Sequence, residues 1–244
     1  MVITSVSNEK VKSIRSLSQK KYRDRENLFI AEGIKMVNEA IKANLKIKTV
    51  CVTEGVKERI HATDAEVLTV SESVFKSMSN EISPEGALAV IEKPCLQPKQ
   101  AQGNSLLLDG LKDPGNIGTI IRTAAAAGYK DIYLLETADP FNPKTVRSSM
   151  SGIYFVNLYS VTKEDFSLYA KNVIVADMQG ENLFDFKPNG NFCLAIGSES
   201  NGVSKEVLSV AKAKISIPME KHSESLNAGV AAGISMYVLN HQKN

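Results

Sequence analysis

From residue 105 onward the chain repeats one pattern: a short apolar run, a polar turn, then a helical stretch. Ser105–Leu108, Ile132–Leu135, Val173–Ala176, Phe192–Ile196 and the shorter Ile215–Ile217 are the runs. Strands that are apolar on both faces need cover on both faces, which antiparallel sheets rarely have. Helical stretches at Ile117–Ala127, Lys144–Met150, Ser204–Ala211 and Leu226–Asn240 supply that cover. The alternation predicts a parallel α/β sheet. Gly128 stands where a helix C-cap glycine belongs, after four consecutive alanines.

The first 92 residues alternate too, in a smaller unit. The spacing of Val11, Ile14 and Leu17 predicts a helix over 7–21, and Leu28–Ala31 reads as a strand ended by Gly33. Ile34, Val37, Ala40 and Ile41 share a second helical face. Ile47–Val52, Val67–Val70 and Ala87–Ile91 read as strands, and Ser71 opens a short helix as a capping serine. Between the halves, residues 93–104 hold two prolines and three glutamines with little to bury, the composition of a linker. The expected domains are therefore 1–92 and 105–244, joined by 93–104.

Charge separates the halves further. The whole chain carries a net +2, yet residues 1–48 hold 11 Lys and Arg against 5 Asp and Glu. The densest cluster is Lys20-Lys21-Tyr22-Arg23-Asp24-Arg25. A basic arm on a mildly acidic body points to a polyanion partner, because each cation beside a phosphate releases counterions. A solvated helix surface would read the same way. The three cysteines and three histidines are far apart, which argues against a zinc site and a disulfide framework. The N-terminus has no apolar signal core, and no run is long enough to span a bilayer, so a cytoplasmic protein is expected.

Three loops after strands carry polar residues in patterns that suit chemistry. The first, Asp109 to Ala124, enters a helix with Gly115 and Gly118 permitting close approach, Asn116 at the helix start and Arg122 further in. An arginine in an otherwise apolar helix needs an anion; a structural ion pair would serve as well as a phosphate. The second, Gly197-Ser-Glu199-Ser-Asn-Gly202-Val-Ser204, imitates a phosphate loop but has Val203 in place of its lysine. No G-x-G-x-x-G fingerprint follows the strands either. In the third, Pro218 stops a strand and a polar loop leads to Ser225 or Asn227, either of which can cap the last helix. Gly229 and Gly233 give that helix a narrow face, which predicts tight packing, a subunit interface being one use of it. Loops that follow the carboxyl ends of parallel strands share one crevice, which would gather Asn116, Arg122, Glu199, Ser225 and Asn227.

Taken in order, Asn116-Ile-Gly-x-x-x-Arg122-Thr-Ala, then Ile196-Gly-Ser-Glu199-x-x-Gly202, then Ile217-Pro-Met219 with Ser225-Leu-Asn227 resembles the SpoU (TrmH-like) RNA methyltransferases of the SPOUT superfamily. The resemblance covers residues 105–240. The basic first unit resembles, more loosely, the small α/β substrate-binding domain that many members carry. The resemblance implies methyl transfer from S-adenosylmethionine to a ribose 2′-hydroxyl of RNA, without a metal. It also implies a trefoil knot in the C-terminal domain and a homodimer through that domain. Carried over by residue, Gly197, Ile217, Met219, Leu226 and Ala176 fall on the cofactor, and Arg122, Asn116, Glu199, Ser225 and Asn227 on the catalytic positions. Lys20, Lys21, Arg23 and Arg25 are the expected RNA contacts, with ribosomal RNA favoured over transfer RNA by analogy to members with a similar first domain. The sequence departs from the pattern at Lys221, where many members have glycine, and at Ala228-Gly229, which replaces a commoner Val-Ser pair. A guanidinium stays protonated, so Arg122 suits phosphate anchoring and charge stabilisation better than base catalysis. Competing readings are a non-catalytic RNA-binding or assembly protein on the same fold and a nucleotide-binding enzyme of another class.

Overall fold

The computed structural model describes residues 2–220, 222 and 225–242, so Lys221 lies outside the described residues. The chain divides into two compact units: Met1–Cys95 with Phe141–Tyr154, and Leu96–Pro140 with Phe155–Asn244.

The first unit runs α1 (Glu9–Ser16), α2 (Lys20–Glu26), β1 (Leu28–Glu32), α3 (Ile34–Lys42), β2 (Ile47–Thr53), β3 (Glu66–Val70), α4 (Glu72–Met78) and β4 (Ala87–Glu92). Its strands order as β1-β4-β2-β3, antiparallel except for β2 with β3. One core gathers Val11, Ile14 and Leu17 from the N-terminal segment, Val74, Phe75 and Met78 from α4, and inward strand residues such as Ile30, Cys51 and Leu88. The single helix expected over 7–21 is two, because the chain turns at Leu17–Gln19. Arg23 supplies the reason. Its guanidinium is buried and donates to Leu17 O at 2.8 Å and Ser18 O at 2.7 Å, satisfying carbonyls freed by the break.

The second unit runs β5 (Ser105–Asp109), α5 (Pro114–Ala127), β6 (Asp131–Leu135), α6 (Pro143–Ser149), β7 (Asn157–Val161), α7 (Phe166–Tyr169), β8 (Val173–Asn182), β9 (Cys193–Ile196), α8 (Lys205–Val210), β10 (Ala213–Ser216) and α9 (Ala228–His241), with α6 grouped into the first unit. Its strand order is β10-β8-β9-β5-β6-β7, parallel throughout, as the apolar alternation predicts. The edge strand β7 was not among the expected strands. Its sequence, Asn-Leu-Tyr-Ser-Val, alternates half-exposed and buried positions instead of running apolar.

Residues 141–154 depart from the expected division, in which the second domain runs unbroken from residue 105. They leave β6 and pack with the first unit, where Val146, Thr145 and Ser149 are buried. Phe141 packs its ring 5.0 Å from Phe29, and the Tyr154 hydroxyl donates to Met36 O at 3.3 Å. The expected linker has no regular structure, but its second half is tied to the second unit. Ala101 N donates to the Tyr133 hydroxyl at 3.0 Å, and that hydroxyl donates to Lys99 O at 2.8 Å.

Candidate active site

The sheet of the second unit builds the site through two backbone irregularities. First, β10 pairs with β8 in a broken register: Lys214 lies opposite Val175, but Ile215 lies opposite Glu181. The residues of β8 skipped by this shift include Ala176, Asp177 and Met178, which line a cavity. Gly180 permits this, since a Cβ there would lie 2.5 Å from the Ile215 backbone. Second, the loop after β9 closes on itself: Ser198 N donates to Gly202 O at 3.0 Å and Gly202 N to Ser198 O at 2.8 Å. A Cβ on Gly197 would fall 2.0 Å from the Gly202 carbonyl carbon, so no other residue fits there without displacing backbone.

Asp109, buried at the end of β5, accepts from Ser204 N at 2.6 Å and fixes the far end of that loop. Ser204 in turn caps α8. The loop after β10 then leads to Asn227, which caps α9 by accepting from Gly229 N at 2.9 Å and Val230 N at 3.3 Å. Of the two caps the sequence allows, Asn227 is used, and Ser225 remains exposed beside the cavity. Asn116 is not a cap. Asp113 caps α5 and accepts from Asn116 N at 2.8 Å, which leaves the Asn116 amide side chain free for other partners.

The cavity measures about 390 Å3. Gly197, Ile217, Met219, Leu226 and Ala176, the five expected cofactor residues, all line it, with Ile196, Val203 and Ile215 extending the apolar wall. Its rim is polar, with Ser198, Glu199, Asn201 and Ser225. Asp177 also lines it and pairs with Lys214 at 2.9 Å; its carboxyl is held below the usual range by the Gln179 N–H and then by that lysine.

Three of the expected catalytic side chains meet at the mouth. The Asn227 amide donates to Asn116 Oδ1 at 2.8 Å, and the Asn116 amide donates to a Glu199 carboxylate oxygen. One side chain from each loop thus joins in a line. Arg122 is not in it: it stands on the exposed face of α5 and does not line the cavity. The Gly229–Gly233 face is occupied within the chain, since Gly229 lies against Thr119 and Gly233 against Thr123 of α5.

In the first unit, the expected RNA contacts divide. Lys20, Lys21 and Arg25 are exposed, Lys20 beside Asp24 and Arg25 over the Tyr22 ring at 5.0 Å. Arg23 is corrected: at 1% exposure, with its donors on Leu17 O and Ser18 O, it is a structural residue and not a phosphate ligand. Sequence reasoning missed Asp109 and Asp177, although each is a carboxylate directly after an apolar run, which was the available signal.

Comparison with known proteins agrees with this geometry. Residues 103–237 match the family model of the SpoU rRNA methylases, and residues 8–89 match an MRM3-like substrate-binding domain. The chain is 34% identical to the 23S rRNA (guanosine(2553)-2′-O)-methyltransferase RlmP of Bacillus subtilis, over 97% of this chain and 98% of that one. Among solved structures, the AdoMet-bound rRNA methyltransferase of Sinorhizobium meliloti superposes with a TM-score of 0.86 at 32% identity, covering 99% of this chain and 97% of that one.

Proposed function

The chain belongs to the SpoU rRNA methylase family, and we propose on that premise that it methylates a ribose 2′-hydroxyl of ribosomal RNA with S-adenosylmethionine. The observation that carries the reading is the line Asn227–Asn116–Glu199, drawn from three loops to the mouth of an apolar cavity. The cavity fits the cofactor: an apolar wall for a base, a polar rim for charged groups, and a buried hydroxyl, on Ser235, with no partner among the described residues. Ala176, Gly197, Ile217, Met219 and Leu226 would hold it. When bound, it supplies a sulfonium-activated methyl group, which needs no metal.

The residues at the mouth have positional work. Glu199 holds the Asn116 amide by its NH2, so the amide oxygen stays turned to Asn227. That fixes the Asn227 side chain, which with Ser225 would orient the ribose. Holding an attacking oxygen in line is worth far more than polarising it loosely. Arg122 would anchor the adjacent phosphate and stabilise charge developing on the 2′-oxygen.

Arg122 lies outside its own chain's cavity, which supports a homodimer. α9 packs on α5 and exposes Val230 and Tyr237, each 50% accessible and one heptad apart on one side of the helix. A second copy seated on that apolar surface would cover the neighbouring face of α5 and bring Arg122 to the partner's site. The trefoil knot of the C-terminal unit belongs to the same proposal. The first unit would bind the RNA, through Lys20, Lys21 and Arg25 among others. No helix among the described residues is long and apolar enough to cross a membrane. A ribosomal RNA substrate would be met in the cytoplasm.

The test is methyl transfer from tritiated S-adenosylmethionine to separated 23S, 16S and transfer RNA, with 2′-O-methyl positions mapped by resistance to alkali. Label at a single 23S or 16S ribose is the expected result. Label confined to transfer RNA would overturn the substrate, and cofactor binding without label in any RNA would return the protein to a non-catalytic role.

A further inference from the structure

A serine inside a helix ordinarily returns its hydroxyl proton to a carbonyl three or four residues back. This protein follows that habit repeatedly. Ser77 Oγ donates to Val74 O at 2.7 Å, Ser149 Oγ to Val146 O at 2.7 Å, and Thr123 Oγ1 to Thr119 O at 2.8 Å. Ser235, in the second half of α9, does not. It is fully buried, its Oγ has no hydrogen-bond partner among the described residues, and it lines the cavity. A buried hydroxyl left unpaired is a cost that alanine or leucine would avoid while favouring the helix more. A partner that arrives with a ligand removes the cost.

Position indicates which part of the ligand that is. Ala228, Ala231 and Ser235 all line the cavity, and their spacing of three and four places them on one face of α9. Asn227, at the polar mouth, is eight residues before Ser235, about 12 Å along the helix axis. The cavity wall between is apolar, with Ile215, Ile217 and Leu226. A ligand that reaches from the mouth to Ser235 must be able to lie against aliphatic side chains and end in a hydrogen-bonding edge. A purine base meets both demands.

We propose that the Ser235 hydroxyl hydrogen-bonds the polar edge of the adenine of S-adenosylmethionine and selects for that base. The inference rests on the methyltransferase reading. A hydroxyl both donates and accepts, so it pairs with either a ring nitrogen or the 6-amino group. It also penalises a base that lacks the matching atom, because the hydroxyl is then buried unpaired again.

The experiment compares wild type with Ser235→Ala, reading two quantities that do not depend on turnover. The first is calorimetric affinity for S-adenosylhomocysteine and for its 1-deaza, 3-deaza, 7-deaza and 6-deamino analogues. The second is the melting temperature of the ligand-free protein. The variant is expected to bind S-adenosylhomocysteine about 2- to 13-fold more weakly, the worth of one hydrogen bond. Its ligand-free melting temperature should be unchanged or higher, since an unpaired hydroxyl has been removed. One analogue should weaken binding to wild type and lose nothing further in the variant. Equal affinity of variant and wild type for S-adenosylhomocysteine, or the same loss for every analogue, overturns the role of Ser235 alone. Failure of wild type to bind S-adenosylhomocysteine overturns the cofactor reading, and this inference with it.

Discussion

Gly197→Ala tests the loop on which the cavity depends. The added methyl carbon would lie 2.0 Å from Gly202 C, 2.2 Å from Val203 N and 2.3 Å from Gly202 O. All three are backbone atoms, so no side-chain rotation relieves the contact. The two limbs of the loop must part, and the bonds that join them are Ser198 N to Gly202 O at 3.0 Å and Gly202 N to Ser198 O at 2.8 Å. Losing both costs about 1–3 kcal/mol, and the remaining overpacking adds about 1–3 more, for a total of about 2–6 kcal/mol. At about 2–4 °C per kcal/mol for a protein of this size, the melting transition should fall by at least several degrees. Gly197 to Val203 all line the cavity, so affinity for S-adenosylhomocysteine should fall as well. Thermal denaturation and calorimetry on the same preparation measure both. A variant that melts within a degree of wild type and binds the ligand equally well would refute the close crossing and the role given to Gly197.

Arg122→Ala should leave cofactor affinity intact and raise the barrier to methyl transfer by about 2.7–4 kcal/mol, as expected for one charge-stabilising donor; single-turnover kinetics with saturating RNA measure it. Replacing Lys20, Lys21 and Arg25 together by glutamine should lower the slope of log affinity for RNA against log salt by about 2, at ~0.7 per phosphate contact. Arg23→Ala, by contrast, should cost about 1–3 kcal/mol of stability by unpairing the Leu17 and Ser18 carbonyls, measurable by urea titration. Val146→Ala should loosen the first unit although the residue lies in the C-terminal half of the chain, by about 1.5 kcal/mol for two lost methyl groups, and faster hydrogen exchange at β1 amides would show it. Burial raises the Glu32 carboxyl above the usual glutamate range, against the opposing bonds from Ser79 and Asn80. The folded state therefore takes up its proton first, and stability relative to Glu32→Gln should rise as pH falls through the raised value towards the ordinary range near ~4.3. A pH-independent difference between the two proteins would contradict this.

Much of the architecture was legible because it is written in periodicity and in local stereochemistry. Short apolar runs such as Leu106–Leu108 and Leu194–Ile196, bounded by polar turns and alternating with helical stretches, read as strands covered on both sides, and they are buried strands of the parallel sheet. Loops placed after strands were expected to gather five residues; Asn116, Glu199 and Asn227 are joined by hydrogen bonds and Ser225 lines the cavity, but Arg122 stands exposed outside it. β7 was illegible for the converse reason. An edge strand is half exposed, and its alternating residues resemble a loop as much as a strand.

What the sequence determines by itself is the set of elements, the loops that hold polar residues, and the family to which their motifs belong. These depend on neighbours within a few positions, where side-chain spacing and backbone stereochemistry act directly. Tertiary structure alone decides what each polar group is used for. Arg23 and Arg25 look alike in a basic run, yet one is buried on carbonyls and the other exposed, because only one faces the break between α1 and α2. Residues 141–154 follow β6 but complete the first unit, since Phe141 packs on Phe29 and Val146 is buried there. The register step between β8 and β10 opens the cavity, and Ser235 gains meaning only once that cavity exists. Each of these depends on contacts between residues far apart in the chain, which spacing along the sequence does not encode.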